Sequence, residues 1–156
     1  MTALVPPYIA RRDAITVHAA AAAAAIDAEF TDVQVGGPIP RGNRCVRVFY
    51  GGEAEPVRMG GNRVLNGEMV ADTIALIAFW AVPTLDESAM KATDDEMVTF
   101  KHELRTRILG DSQLGGNATD LLMHYAQPDW IQIGGARWAV LEVDFTPDHT
   151  EYTLAP

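Results

Sequence analysis

Residues 94–146 constrain this chain more than any other stretch. Met97, Phe100, Leu104 and Ile108 recur at steps of three and four, so only a helix gathers them on one side. Thr93-Asp94-Asp95-Glu96 has the form of a capping box, with Thr93 accepting from the helix start and Glu96 reaching back. Acidic residues there suit the positive end of the helix dipole, and Arg105 and Arg107 suit the other end. A helix over 93–109 is therefore expected, with Gly110 at the C′ position. An apolar run follows Leu114-Gly115-Gly116 and ends near Ile133. Within it, Leu121, Met123 and Tyr125 share one parity, and Pro128 marks an edge or a bulge. Gly134-Gly135 reads as a hairpin turn into a last strand. There Ala139, Leu141, Val143 and Phe145 face one way, and Trp138, Val140, Glu142, Asp144 and Thr146 the other. None of the polar residues in this helix–strand–strand unit has catalytic or metal-site spacing, so the unit points toward assembly rather than chemistry.

The remainder supplies partners for that unit. Pro6-Pro7 suits a first helical turn, and Ile15, Ala19, Ala22, Ile26 and Phe30 make a helical stripe over residues 8–30. Ala19 to Ala25 is unbroken alanine, which makes this helix narrow enough to pack closely on a sheet or a neighbouring subunit. After Gly36-Gly37-Pro38 and Arg41-Gly42-Asn43, residues 44–50 alternate as a strand. Val46, Val48 and Tyr50 oppose Cys45, Arg47 and Phe49, and a Gly-rich loop over 51–61 follows. Residues 71–82 are long enough for a buried helix, but the flanking Asn66-Gly67 and Pro83 favour a long strand apolar on both faces: Ile74, Leu76, Trp80 and Val82 on one, Ile77 and Phe79 on the other. Residues 83–93 read as a polar connection. The sum is one α+β domain over 1–156, a mostly antiparallel sheet backed by two helices, with its core at about 8–146 and a short tail over 147–156.

A chain of 156 residues can bury about 70% of the surface it exposes when unfolded. Twelve basic against twenty-one acidic residues give −9, which leaves no footprint for phosphate binding. An acidic surface suits a protein that must let DNA pass without sticking. The lone Cys45 excludes an internal disulfide and reads as a buried structural thiol. The N-terminus lacks the form of a signal peptide, and no apolar run approaches the ~20 residues of a membrane span, so a soluble, intracellular protein is expected.

Searching the sequence for chemistry yields little. His18, His102, His124 and His149 are scattered, without an HxxxH or HxH pair, so no metal is expected. The glycine pairs fit neither GxGxxG nor a phosphate-binding loop, so no cofactor is expected. Ser88 and Ser112 are the only serines, and neither lies in GxSxG. Glu142 and Asp144 share a strand face and could form an acid/base pair, but the same alternation arises on a wet or subunit-facing face. No catalytic residue is assigned. Trp80 is expected in the core. Trp130 and Trp138, flanked by charge, have the character of interface anchors, with Glu142 and Asp144 as companions. Glu53, Glu55 and Arg58 of the Gly-rich loop are candidates for a lumen or partner contact.

Three segments together resemble the tail terminator (tail-completion) proteins of long-tailed, non-contractile bacteriophages. They are Leu65-Asn-Gly-Glu-Met-Val-Ala-Asp72 leading into the apolar strand, the helix exit Arg107-Ile-Leu-Gly-Asp-Ser-Gln-Leu-Gly-Gly116, and Gly134-Gly-Ala-Arg-Trp-Ala-Val-Leu-Glu-Val-Asp-Phe-Thr146. With the N-terminal helix they cover about 8–146. The resemblance implies a homo-oligomeric ring, sixfold by expectation, that caps the tail tube and ends its polymerisation. Its partners would be the tail tube protein and a head–tail connector or neck protein, with DNA passing non-specifically through the lumen and no membrane involved. Localisation would be the virion neck, and the host cytoplasm during assembly. The family brings no catalytic residues. The competing readings are another neck protein (head-completion or connector) and, from a different class, a small α+β enzyme or ligand-binding domain.

Overall fold

A strand apolar on both parities, residues 72–81, lies inside the sheet, next to the long alternating strand 136–147. In the computed structural model, residues 7–53, 57–58, 68–70, 72–112, 114–116, 121–125, 128–147 and 153–154 are described. In chain order the elements are α1 (Pro7–Ile26), β1 (Val33–Val35), β2 (Arg44–Glu53), β3 (Val57–Arg58), β4 (Glu68–Val70) and β5 (Asp72–Ala81). Then come α2 (Glu87–Leu109), a 3-10 turn (Leu114–Gly116), β6 (Leu121–Tyr125), β7 (Asp129–Ile133), β8 (Ala136–Pro147) and β9 (Thr153–Leu154). The main sheet runs β1-β2-β5-β8-β6, with β7 also on β8; only the β1–β2 pair is parallel. β7 pairs with residues 136–140 of β8 and β6 with residues 143–147, so the two lie end to end along one edge. The chain is thus an α+β protein, a six-stranded, mostly antiparallel sheet backed by two helices.

The core lies between the sheet and the helices. Ile15, Ala19 and Ala22 of α1 and Met97, Phe100, Leu104 and Ile108 of α2 meet Val46, Val48, Ile74, Leu76, Trp80, Leu141, Val143 and Phe145. Each fully buried large apolar side chain contributes about 1.5–3 kcal/mol, so this layer dominates the stability. Alanines at the α1 contact let that helix approach closely. The aromatic centre is Phe30, stacked on Phe100 at 6.2 Å and edge-on to Trp80.

Several boundaries differ from expectation. α1 ends at Ile26, and Phe30 reaches the core from a turn in which its amide donates to the Asp27 carbonyl. α2 starts at Glu87, six residues before Thr93. Its N-cap is Asp86, whose carboxylate accepts from the Ala89 amide at 2.7 Å. Thr93 and Glu96 are therefore interior. The Thr93 hydroxyl donates to the Ala89 carbonyl, and Glu96 is drawn away by Trp80 and Arg44. Gly110 is the C-cap in a right-handed conformation, and positive φ comes later, at the buried Leu114 (φ 47°) and the two glycines after it. Strand β2 continues through Gly51 to Glu53 by a bulge opposite Thr73, where a Cβ on Gly51 would stand 3.2 Å from the Thr73 carbonyl oxygen. Within the expected tail, Thr153–Leu154 pairs with Met69 and Val70 in a small β3-β4-β9 sheet. Gly134 and Gly135 both have positive φ, as a two-residue hairpin of the primed type demands.

Candidate functional site

The helices cover one face of the sheet only. On the second face, Cys45, Phe79 and Trp138 form a smaller buried cluster, with Ile77, Ala81, Ile131 and Val140 packed around it. The Phe79 and Trp138 rings meet edge-on at 6.3 Å. The β1–β2 connection passes against this face: the Arg41 amide donates to Cys45 Sγ at 3.3 Å, and Pro38 lines the neighbouring groove. Burial pushes the Cys45 thiol up, with the Arg41 amide and the Arg47 charge opposing it, so it stays protonated near neutrality. Beyond the cluster, an open groove of about 340 Å³ is floored by Ile77, Phe79, Ile131 and Val140 and rimmed by Asp129 and Glu142.

Glu142 and Asp144 both lie on this second face, Glu142 exposed and Asp144 half-buried. Their cross-strand neighbours are Ile77 for Glu142, and Ala75 and His124 for Asp144. The carboxylates thus stand along an open strand surface, about 7 Å apart by strand geometry. The two tryptophans project to opposite faces. Trp138 is 7% exposed, so it belongs to the second-face cluster rather than the surface. Trp130 is 46% exposed and lies opposite Ala139, on the helix-covered face. It borders a groove of about 360 Å³ with Leu85, Met90 and Arg137. The exposure expected of both tryptophans is found at Trp130. Of the loop candidates, Glu53 belongs to β2 opposite Asp72, and Arg58 to β3 opposite Glu68. Their side chains, and all of Glu55, lie outside the described residues.

Three charged clusters carry polar weight that sequence reasoning does not anticipate. Arg44 bonds Asp27 at the end of α1 and Glu96 of α2 (2.7 Å), with its guanidinium over the Phe30 ring at 4.9 Å. Burial opposes the Arg44 charge, but the bonds to Asp27 and Glu96 outweigh it and raise its pKa. The Trp80 indole N–H donates to the other Glu96 oxygen at 3.0 Å. Arg47, buried on the second face, is held by both oxygens of Asp32. His18 of α1 is bonded to Asp111, after α2, at 2.8 Å. The available signal is Arg44 and Arg47 inside an otherwise apolar strand, since a buried cation requires a partner.

His102 and His124 are exposed, and His149 lies outside the described residues. Among the described residues no three His, Cys, Asp or Glu side chains converge as metal ligands, and no helix is long and apolar enough to cross a membrane. No protein-family model and no curated protein matches this chain.

Proposed function

We propose that this protein is a structural ring subunit of a bacteriophage tail, a tail terminator that caps the tube, ends its polymerisation and joins it to the head. The observation that carries this reading is the one-sided sheet. Two helices cover one face, while the other keeps an open apolar groove rimmed by Asp129 and Glu142. Apolar side chains also stand exposed at both sheet edges: Val35 on β1, and Leu122, Trp130 and Ile133 on β6 and β7. Scattered apolar exposure is ordinary, but exposed apolar side chains on both sheet edges beside an open apolar groove favour contacts with other chains. The resemblance of the three sequence segments supplies the context, and −9 suits a ring that DNA must traverse without adhering.

In this reading the ring is a hexamer, its partners are the tail tube and a neck protein, and the contacts are packing rather than catalysis. Deletion of the coding sequence from the parent phage tests it. Tails of uncontrolled length together with unattached heads are expected in electron micrographs. Tails of normal length overturn the assignment, and normal tails that fail to join heads transfer the protein to head completion.

A further inference from the structure

Two exposed apolar surfaces occupy opposite margins of the helix layer. At one margin, Trp130 and Leu85 (59% exposed) border the 360 Å³ groove, with Arg137 beside them. At the other, α1 turns Asp13, Val17, Ala20 and Ala24 to solvent at steps of four, three and four, with Val17 68% exposed. α1 packs over β1 and β2, whereas β7 lies at the far edge of the same sheet. Trp130 shares a face with Ala139 of the main core, so both surfaces belong to the same layer.

Their charges are opposite. Arg137 is exposed and makes no ion pair with a described residue. Asp13, with 58% of its side chain exposed, is paired among the described residues only with its neighbour Arg12 at 3.0 Å, a weak surface pair. An apolar groove with a cation beside it fits a narrow helix that presents a small aliphatic ridge and a carboxylate one turn away.

We propose that these surfaces are the two halves of one head-to-tail contact between copies of this chain. The Trp130 groove of one copy receives the Val17 face of α1 from the next, and Asp13 of that helix meets Arg137. The inference rests on the ring reading and specifies its subunit contact. Because the halves differ and lie at opposite margins, the contact is heterologous. It leaves a free half on each end until a ring closes, whereas a self-complementary patch stops at a dimer. A large aromatic in a groove is the side chain that most often anchors such a contact.

Val17→Asp and Trp130→Asp each disable one half. The light-scattering mass of the wild-type chain should rise with concentration to several copies of 16.9 kDa, while each variant stays at one. Mixed in equal amounts, the variants should reach the mass of two chains and stop, since each retains the half the other lacks. Circular dichroism controls for folding. If either variant fails to fold, Asp13→Arg and Arg137→Asp replace them. Each alone should weaken assembly about tenfold, the scale of one lost contact, and the double exchange should restore it. The contact is overturned if a folded variant assembles like the wild type, if the mixture stays at one chain, or if the wild type never exceeds one chain. Wild-type assembly that ignores these substitutions removes the contact and leaves the ring reading intact. Normal-length tails in the deletion phage remove the ring reading whatever the variants do.

Discussion

Trp130 and Trp138 differ in what covers them, and that difference sets their roles. Trp138 packs on Phe79 and Cys45 on the second face, and the β1–β2 connection bonds that cluster through the Arg41 amide on Cys45. Truncating a buried tryptophan removes its contacts and leaves a cavity, so Trp138→Ala should cost about 3–5 kcal/mol of stability. Trp130→Ala should change it by no more than about 0.5 kcal/mol, as for most surface substitutions. Urea unfolding of both variants checks this, and equal losses would refute the assignment of Trp138 but not Trp130 to a buried cluster. The alternation in residues 137–146 puts every side chain on its correct face, including Trp138 with Glu142 and Asp144. It cannot tell that one end of that face is buried while the rest stays open. Exposure is a tertiary property, and Cys45 and Phe79, which pack with Trp138, lie far from it in sequence.

Among the elements, β8 is legible from its period-two alternation of an apolar and a mixed face, and β5 from an apolar run bounded by Asn66-Gly67 and Pro83. The start of α2 is hidden because Thr93-Asp94-Asp95-Glu96 satisfies the capping template while lying inside the helix. Its Glu96 is recruited by Arg44 and Trp80, residues of the sheet. The operative signal is Thr84-Leu85-Asp86, with Asp86 capping and Thr84 donating to it at 2.9 Å. Gly51 likewise resembles the start of a Gly-rich loop, whereas it serves a bulge that keeps β2 paired. Gly51→Val should force the Thr73 backbone aside and destabilise by about 1–3 kcal/mol, measurable by thermal unfolding. A neutral effect would mean the bulge has room for a side chain.

The His18–Asp111 bond joins α1 to the turn after α2, and its pH dependence has a definite sign. The Asp111 carboxyl is held below its ordinary value of 3.8, first by His18 and then by the Gly115 amide. A folded pKa below the unfolded one means that the ionised group favours the folded chain. That contribution is present above the unfolded value and is lost as pH falls through the folded one. Asp111→Asn should therefore unfold at a lower temperature than wild type at neutral pH, with the gap closing in acid. A gap that does not shrink as the pH falls well below 3.8 would show that the bond does not act through the carboxylate.

For the molecule as a whole, the class is legible, an α+β sheet backed by two helices, but the strand order is not. The parallel β1 pair is three residues long, and the division of one edge between β6 and β7 is a choice of pairing, not of propensity. The order predicts where the fold is most resistant to opening. β5 and β8 are flanked by strands on both sides, so peptides covering 72–81 and 138–145 should exchange their amide hydrogens slowest. Those covering 33–35 and 129–133 should exchange much faster in hydrogen–deuterium mass spectrometry. Equal protection at the edges would contradict this order.

The divided edge has one more consequence, for how the chain stays dispersed at high concentration. A long straight edge strand is a template on which stray chains can lay themselves down by backbone pairing and precipitate. Among the described residues the edge offers five paired positions before Pro128, which has no N–H to donate, and five after it, each span about 17 Å. Neither piece is long enough to nucleate a stable intermolecular ribbon. The fold can therefore present sticky side chains at its margin while denying its neighbours the backbone, so that association is decided by shape and not by indiscriminate sheet growth.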